Sequence, residues 1–162
     1  MYFGLHQTVI DDKGRITVPR RFRDIMERED HITWQVTMGF NGNLYLYNRP
    51  EWERLLKHTD GLPYMDPEIH DFLRCLYGLS TDSRVDGQGR LPIAAHLREM
   101  MDLGREVVLV GMRDHLELWS KESWEKFCVE TAPKYRSMAA ERFVCAERSD
   151  NAKEKGELSD EH

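Results

Sequence analysis

The chain has 162 residues, of which 40% are hydrophobic and 32% charged, and its net charge is −6. This length suits one domain or two small ones, and the apolar fraction is sufficient for a buried core. No apolar run approaches the roughly 20 residues that span a bilayer, and the first residues lack the pattern of a secretory signal. Three cysteines without paired spacing indicate reduced thiols in a cytosolic protein, each expected to be packed inside.

Charge is distributed unevenly along the chain, so the negative total does not decide its partners. From Asp11 to Arg23, two acidic residues stand among five basic ones. Residues 147–162 are acidic and poor in apolar side chains, and we expect them to be disordered. A basic head and an acidic tail therefore coexist in one chain.

The first predicted elements are two short strands, residues 8–10 and 15–18, joined as a hairpin by a tight turn. The turn has the pattern Asp-x-x-Gly-Arg. In such a turn Asp11 can accept backbone N–H groups, and Gly14 can adopt the left-handed conformation. Both residues are therefore predicted to shape the turn.

A short helix and a second strand pair follow in the first half. Pro19 suits the first turn of the helix. Residues 34–38 and 44–47 have the alternating apolar pattern of strands. Asn48 is then expected to cap a helix, with Glu51 three residues on as in a capping box.

The second half repeats this order after a connecting helix. Asp66 caps that helix and Gly78 ends it. The pattern Asp-x-x-Gly-Arg returns at residues 86–90, where Asp86 and Gly89 are predicted to shape the turn. The expected strands 106–110 and 116–119 come next, before a helix that begins at Ser120.

The two halves are related by an internal repeat. The pentapeptide motif recurs at an offset of 75 residues, and later pairs such as Val36 with Val108 align at an offset of 72. A shared period this long predicts one structural unit written twice. Such a unit has too few strands to close a core alone, so the two copies must interlock.

Two interpretations of the motif arginines, Arg15 and Arg90, remain open. In the first, each arginine neutralises the aspartate across its turn, which contributes about 0.2–1 kcal/mol. In the second, the arginines face a duplex. A two-stranded ribbon fits the major groove, and Arg reads guanine through a bidentate contact worth about 1–3 kcal/mol of discrimination.

The two copies differ in their basic residues. Lys13 at the turn tip becomes Gln88, and Arg20 becomes Ala95. We therefore expect the first copy to contact nucleic acid and the second to complete the scaffold. The residues expected to hold phosphates are Lys13, Arg20, Arg21 and Arg23.

A set of motifs in a fixed order resembles the MraZ family of bacterial transcriptional regulators, which are built from two SpoVT/AbrB-like domains. The resemblance covers roughly residues 3–124. It rests on Phe3-Gly4, Asp11-x-Lys13-Gly14-Arg15, Val18-Pro19, Leu44-Tyr45-Leu46-Tyr47, Glu51-Trp52, Asp86-x-Gln88-Gly89-Arg90, Glu106–Gly111 and Leu116-Glu117-Leu118-Trp119. The second copy departs from the first in having no proline at the position of Pro19.

The resemblance implies an α+β fold, a duplicated swapped-hairpin β-barrel that forms a pseudo-dimer within one chain, with connecting and C-terminal helices. The implied segments are a first domain (5–52), a helical connector (53–79), a second domain (80–124), a C-terminal helical segment (125–146) and the acidic tail (147–162).

The resemblance also implies a function. Such proteins assemble into rings, bind direct repeats in the promoter of the division and cell-wall gene cluster, usually as repressors, and are found with the nucleoid in the cytoplasm. Arg15 is then the expected principal DNA contact, supported by Lys13, Arg20, Arg21 and Arg23. Arg90 matches the second motif. Neither a cofactor, a metal, a membrane nor a small-molecule substrate is implied.

Two rival functions are weighed against DNA binding. An enzyme would need a catalytic or metal-ligand pattern, and the seven histidines, His58, His70 and His115 among them, show no such spacing. An antitoxin-like or other protein-interaction scaffold of the AbrB-like class could use the connector and the aromatic residues Trp124, Phe127 and Phe143. Steep salt dependence would favour DNA over such a scaffold.

Overall fold

The computed structural model describes residues 1–142 and shows an α+β protein with an antiparallel sheet and several helices. The described residues divide into two compact units, the first Met1–Trp124 and the second beginning at Glu125. The predicted acidic tail, residues 147–162, lies outside the described residues, as does Phe143.

The elements follow the chain in the predicted order. The strands are β1 (Tyr2–Val9), β2 (Arg15–Thr17), β3 (Thr33–Met38), β4 (Leu44–Asn48), β5 (Thr81–Arg84), β6 (Arg90–Pro92), β7 (Glu106–Arg113) and β8 (His115–Ser120). The helices are α1 (Arg20–Arg28), α2 (Arg49–Lys57), α3 (Pro67–Leu73), α4 (Ala95–Met100) and α5 (Lys121–Glu130). A π-helical turn, Arg74–Gly78, continues α3 to the glycine predicted to end it.

Six strands form one antiparallel sheet in the order β1-β7-β8-β4-β3-β5, and β2 pairs with β6 in a separate ribbon. Three of the five pairings in the large sheet, and the ribbon itself, join a strand that precedes α3 to one that follows it. The strand order reads the same from either edge when each strand is exchanged for its counterpart in the other repeat. Neither repeat therefore holds a complete sheet of its own.

The strands that flank each Asp-x-x-Gly-Arg turn differ from the predicted hairpins. Next to the first turn, an isolated bridge joins Ile10, just after β1, to Ile16 of β2, whereas β1 pairs along its length with β7 and β2 pairs with β6. The turn reverses the direction of the chain, but the burial of apolar side chains decides which strand pairs with β2. Ile16 joins the core beside Leu91 of the other repeat, which places β2 against β6.

The core of the first unit is a single cluster that draws on both repeats. Tyr2, Phe22 and Trp34 lie at its aromatic centre and are at most 2% exposed. The ring of Tyr2 meets the other two edge-on, with centroids 5.7 Å from Phe22 and 5.4 Å from Trp34. Ile16 and Leu91 close the cluster beneath the ribbon.

Local signals begin the helices where the sequence predicted them. Asn48 Oδ1 accepts the backbone N–H of Glu51 at 3.0 Å, and Asp66 Oδ1 accepts that of Glu68 at 2.9 Å. Pro19 stands at the N-cap of α1 with extended backbone angles. These contacts satisfy N–H groups that a helix start leaves without partners.

The second unit contains most of α5, a 3₁₀ turn at Ala132–Lys134, and helical residues up to 142. The predicted C-terminal segment, 125–146, is therefore described only in part. Within residues 1–142, no helix has the length and apolar character needed to cross a bilayer.

The cysteines correct one prediction. Cys75 and Cys128 are exposed rather than packed inside, and Cys145 lies outside the described residues. Cys75 follows α3 in a segment whose buried side chains are Leu73 and Leu76. Because these two residues define the inward face, the intervening thiol is turned towards solvent.

Candidate nucleic-acid interface

The ribbon of β2 and β6 brings both copies of the motif onto one surface. Its register pairs Ile16 with Leu91 at the centre, Arg15 with Pro92, and Thr17 with Arg90. Ile16 and Leu91 are 1% and 0% exposed, so the residues next to them in each strand face outward. Arg15 and Arg90 therefore share the outer face as diagonal neighbours, with Cα atoms about 7–8 Å apart.

The first turn is fixed by its aspartate and glycine. Asp11 Oδ1 accepts the backbone N–H of Lys13 at 2.9 Å and of Arg15 at 3.0 Å. The carbonyl of Asp11 accepts the N–H of Gly14 at 2.9 Å. Gly14 has φ +74°, a conformation that favours glycine. This geometry leaves the side chain of Lys13 exposed at the tip.

The second turn has the same geometry. Asp86 Oδ1 accepts the N–H groups of Gln88 and Arg90, both at 2.9 Å. The carbonyl of Asp86 accepts the N–H of Gly89 at 2.9 Å, and Gly89 has φ +77°. Gln88 is exposed at this tip, in the place that Lys13 holds in the first turn.

Each motif arginine is held by the aspartate that begins its turn. Arg15 Nε donates to Asp11 Oδ2 at 2.9 Å, and its Nη2 lies 2.8 Å from the same oxygen. Arg90 Nε donates to Asp86 Oδ2 at 2.8 Å. The arginine side chains remain 21% and 31% exposed. Because a guanidinium carries five N–H groups, each pair leaves donors for an acceptor outside the protein.

These contacts keep both aspartates charged. Hydrogen bonds from the side chain and then the backbone of Arg15 lower the pKa of Asp11 to about 2. The backbone N–H of Arg90, followed by its side chain, lowers the pKa of Asp86. Each aspartate therefore offsets the charge of its arginine at neutral pH, and excess positive charge on this surface must come from other residues.

Lys13 and Arg20 supply such charge. The side chain of Arg20 is 87% exposed, and its Nε lies 3.9 Å from Asp24 Oδ1. An exposed pair at that separation contributes about 0–1 kcal/mol, so it holds Arg20 only weakly. Arg21 is engaged by the protein instead, because its Nη2 donates to the carbonyl of Leu5 at 3.0 Å.

Arg23 and its counterpart Arg98 each lie over the turn of the other repeat. A Cβ placed on Gly89 would overlap Arg23 Cδ, and one placed on Gly14 would be 2.9 Å from Arg98 Nη2. Arg98 Nε donates to the carbonyl of Ile93 at 3.0 Å. Arg23 Nε is buried and has no hydrogen-bond partner within residues 1–142. Sequence reasoning missed Arg98, although the offset of 75 residues from Arg23 pointed to it.

Comparison with known proteins agrees with the motif pattern. A family model described as "MraZ protein, putative antitoxin-like" matches residues 1–75 and 77–145. The chain belongs to the MraZ family. It is 33% identical over 139 residues to a protein of Moorella thermoacetica, covering 86% of this chain and 94% of that protein. It is 36% identical over 139 residues to a protein of Limosilactobacillus reuteri, covering 86% and 95%. Both relatives carry the name "Transcriptional regulator MraZ".

Within this MraZ-family chain, the predicted DNA-binding residues fall into three structural groups. Two share the outer face of the ribbon, namely Arg15 and Arg90. Two are exposed near the ribbon, Lys13 at the first turn and Arg20 at the start of α1. Two are engaged by other parts of the fold, Arg21 by β1 and Arg23 by the second turn.

Three histidines of this MraZ-family chain, His58, His70 and His115, were considered as possible catalytic or metal-binding residues. Within residues 1–142, no group of three or more His, Cys, Asp or Glu side chains is placed to hold a metal ion. His58 is exposed at the end of α2, and His70 lies on α3 with its ring 6.2 Å from that of Tyr64. The relatives are named as regulators rather than as enzymes.

His115 lies in a separate polar cluster on the side of the sheet opposite the core. Its Nδ1 is 2.7 Å from Asp114 Oδ1, its Nε2 is 3.7 Å from Glu117 Oε1, and its ring stacks on Tyr47 at 4.9 Å. Trp119 Nε1 donates to Glu117 Oε2 at 2.8 Å. Burial alone would lower the pKa of His115, but the carboxylates of Glu117 and Asp114 outweigh it and raise that pKa.

Proposed function

We propose that this protein is a sequence-specific DNA-binding transcriptional regulator, which represses the division and cell-wall gene cluster by binding direct repeats in its promoter. The observation that carries the proposal is the placement of Arg15 and Arg90 on the outer face of one two-stranded ribbon. The names of the relatives support a role in transcription. In this proposal, the guanidinium N–H groups that do not bond Asp11 or Asp86 donate to acceptors on the edge of a base pair.

The dimensions of the ribbon suit the major groove, which is about 12 Å wide and admits a two-stranded antiparallel element. Arg15 and Arg90 project from its outer face, and guanine offers two acceptors to a guanidinium there. Asp11 and Asp86 hold the arginines before DNA arrives. Less side-chain freedom is therefore lost on binding, which favours affinity.

Cations around the ribbon hold the phosphates. Lys13 is exposed at the tip of the first turn, and Arg20 is exposed at the start of α1. Phosphate contacts position a protein on the duplex without reading its sequence. Asp11 and Asp86 neutralise the positive charges of Arg15 and Arg90. We therefore assign the salt-dependent share of DNA affinity mainly to Lys13 and Arg20.

The assembly forms part of the proposal. Two domains, residues 5–52 and 80–124, together make a swapped-hairpin barrel, a pseudo-dimer within one chain, with residues 53–79 as its connector and 125–146 as a C-terminal segment. The mirrored strand order supports this arrangement. Copies then join head to tail in a ring at the nucleoid. A closed ring presents its ribbons in series, so that several weak contacts with repeats add through effective concentration.

A titration of promoter DNA tests the proposal. The probe is the duplex upstream of the protein's own gene, and binding is followed by gel shift and by fluorescence anisotropy. We expect Arg15→Ala to abolish or badly weaken binding while oligomer size, measured by light scattering, stays unchanged. Arg90→Ala should weaken binding as well. Arg49→Ala is the matched control, because Arg49 is 86% exposed and paired with Glu53 on α2.

Wild-type affinity in Arg15→Ala would contradict the proposal. Equal losses in Arg15→Ala and Arg49→Ala would also count against it, because the effect would then reflect net charge alone. A footprint that covers repeated sequences would support the promoter target, and reporter expression that rises when the gene is deleted would support repression.

A second candidate function is an antitoxin-like or other protein-interaction scaffold. It is favoured by exposed apolar side chains around the connector, where Met65 is 95% exposed and Tyr64 is 52% exposed, and by the description of the family as antitoxin-like. Salt separates the two functions. DNA affinity should fall steeply between 50 and about 200 mM salt because counterions are released, whereas an apolar protein contact should change little.

A further inference from the structure

Lys13 and Gln88 occupy equivalent positions at the two turn tips. The backbone N–H of each donates to the Oδ1 of its turn aspartate at 2.9 Å, and each side chain is exposed. The backbone geometry is therefore the same at both positions. Only the chemistry of the side chain differs.

The two tips stand at opposite ends of the ribbon. The first turn leads into the start of β2, and its Gly14 carbonyl accepts the N–H of Ile93, just beyond the end of β6, at 2.8 Å. The second turn leads into the start of β6, and its Gly89 carbonyl accepts the N–H of Val18, just beyond the end of β2, at 2.8 Å. Lys13 therefore marks one end of the ribbon and Gln88 the other.

Positive charge beside the Gln88 tip comes from both repeats, because Arg84 is exposed at the end of β5 and Arg20 is contributed by the first repeat. The hydrogen bond from Val18 to Gly89 brings the end of β2 to the second turn, and Arg20 begins α1 two residues later. At the Lys13 end, the position equivalent to Arg20 is Ala95. From the first repeat, Lys13 therefore lies on one tip itself, and Arg20 lies beside the other tip, which carries Gln88.

The side chains of lysine and glutamine on such tips can make different hydrogen bonds. The ammonium of Lys13 donates three hydrogen bonds and accepts none, which suits a phosphate. The amide of Gln88 both donates and accepts, which allows a bidentate contact with adenine N6 and N7 in the major groove. A neutral glutamine has no charge to pair with a phosphate, whereas the nearby Arg20 has one and can hold the DNA backbone.

We infer that Gln88 reads a base edge at one end of the ribbon while Lys13 holds a phosphate at the other, so that the ribbon lies on each repeat in one direction. This inference rests on the proposed function. It adds to Arg90 a further specificity-determining residue in the second repeat, which the sequence indicated to be mainly scaffold. It also makes the two ends of the pseudo-symmetric ribbon different, so that every ribbon can bind in the same orientation on a series of direct repeats.

The test compares single-base variants of a binding site. The site is selected from a random duplex pool with the full-length protein, and dissociation constants are measured by anisotropy for every single-base substitution. We expect Gln88→Ala to reduce discrimination about tenfold at one base pair of each repeat, equivalent to about 1.4 kcal/mol. Lys13→Ala should weaken all sites alike and reduce the slope of log affinity against log salt by about 0.9.

Two further variants control the comparison. Gln88→Lys should lose the same discrimination while steepening the salt slope by about 0.9, because it adds a phosphate contact. Asn41→Ala removes an exposed carboxamide from the tip of the β3–β4 turn and should leave both base discrimination and salt slope unchanged. Thermal unfolding of each variant checks that the fold is intact.

Uniform weakening by Gln88→Ala at every base position, or no effect, would overturn the inference. Loss of discrimination by Lys13→Ala in place of Gln88→Ala would overturn it too. These outcomes leave the proposed function standing, provided that the wild-type protein discriminates between sites. A wild-type protein that selects no duplex would overturn the proposed function and this inference together.

Discussion

The backbone N–H of Ile93 donates to the carbonyl of Gly14 across 2.8 Å, and this bond joins the second repeat to the turn of the first. The reverse bond, from Val18 to Gly89, has the same length. The side chains of Arg98 and Arg23 lie over Gly14 and Gly89, beside these two bonds. Each turn is therefore completed by the other repeat, and its glycine serves the contact between repeats as well as the reversal of the chain.

Gly14→Ala should destabilise the protein more than Gly42→Ala. Both glycines have positive φ, +74° and +70°, so both variants carry the strain of a side chain in the left-handed region, about 1–2 kcal/mol. A Cβ at Gly14 would also lie 2.9 Å from Arg98 Nη2, whereas one at Gly42 meets nothing within 4 Å. Urea denaturation measures both. Equal losses would show that Arg98 moves aside freely.

The two residues beneath the ribbon should behave as a coupled pair. Ile16→Ala and Leu91→Ala should each lower the free energy of unfolding by about 2–5 kcal/mol, because both side chains are fully buried. They stand directly opposite each other, so the double variant should depart from additivity by about 0.5–3 kcal/mol. Ile16→Ala combined with Leu73→Ala, beneath the connector helix, should be additive. An additive Ile16–Leu91 pair would contradict the packing described.

Asp11→Asn should narrow the difference between specific and non-specific DNA binding. The amide oxygen can still accept the N–H groups of Lys13 and Arg15, so the turn should persist, but the carboxylate that holds the Arg15 guanidinium is lost. Non-specific affinity should rise while specific affinity falls, and the ratio should drop about tenfold, the effect of one misplaced base contact. Competition titrations measure this ratio.

Asp12→Asn is the control for Asp11→Asn, because it removes the same charge from the adjacent exposed position. A similar drop in that variant would assign the effect to net charge. Because the pKa of Asp11 is about 2, its carboxylate is ionised at both pH 5 and pH 8, and the effect should be the same at both values.

His115→Gln should cost more stability at pH 6 than at pH 9. The folded-state pKa of His115 is raised above its ordinary value of about 6.5. Its stabilisation is therefore fully present below the unfolded-state pKa and is lost as pH rises through the folded-state pKa. We expect a loss of about 1.5–3 kcal/mol at pH 6, typical of hydrogen bonds to charged groups, and a smaller loss at pH 9.

Urea denaturation at both pH values checks this expectation. His58→Gln is the control, because His58 is exposed at the end of α2; its effect should not follow the same trend. A loss for His115→Gln that grows with pH would show that burial, rather than Glu117 and Asp114, controls this histidine.

The α+β class and the element order were predictable from sequence because they depend on local signals. Asn48 and Asp66 begin helices where their side chains reach nearby N–H groups. These contacts span two or three residues, so the spacing of residues in the sequence is enough to predict the capped start of each helix.

The partner of β2 and the position of Arg23 were not predictable in the same way. Ile16 meets Leu91, 75 residues away, and no local preference distinguishes that partner from a neighbouring strand. Arg23 belongs to a basic run, yet its side chain lies against Gly89 because α1 crosses to the other repeat's turn. The offset of 75 residues related Arg23 to Arg98 and Gly14 to Gly89. It did not show that the arginine of each repeat would lie over the glycine of the other.

The mirrored strand order has a consequence for how such a protein can evolve. A homodimer of identical short chains must carry the same side chain at both ends of its shared ribbon, because one codon specifies both. Fusion of the two copies into one gene removes that constraint, and a mutation at residue 88 leaves residue 13 untouched. The covalent connector thus does more than raise local concentration. It permits the two ends of a ribbon that arose by duplication to carry different side chains.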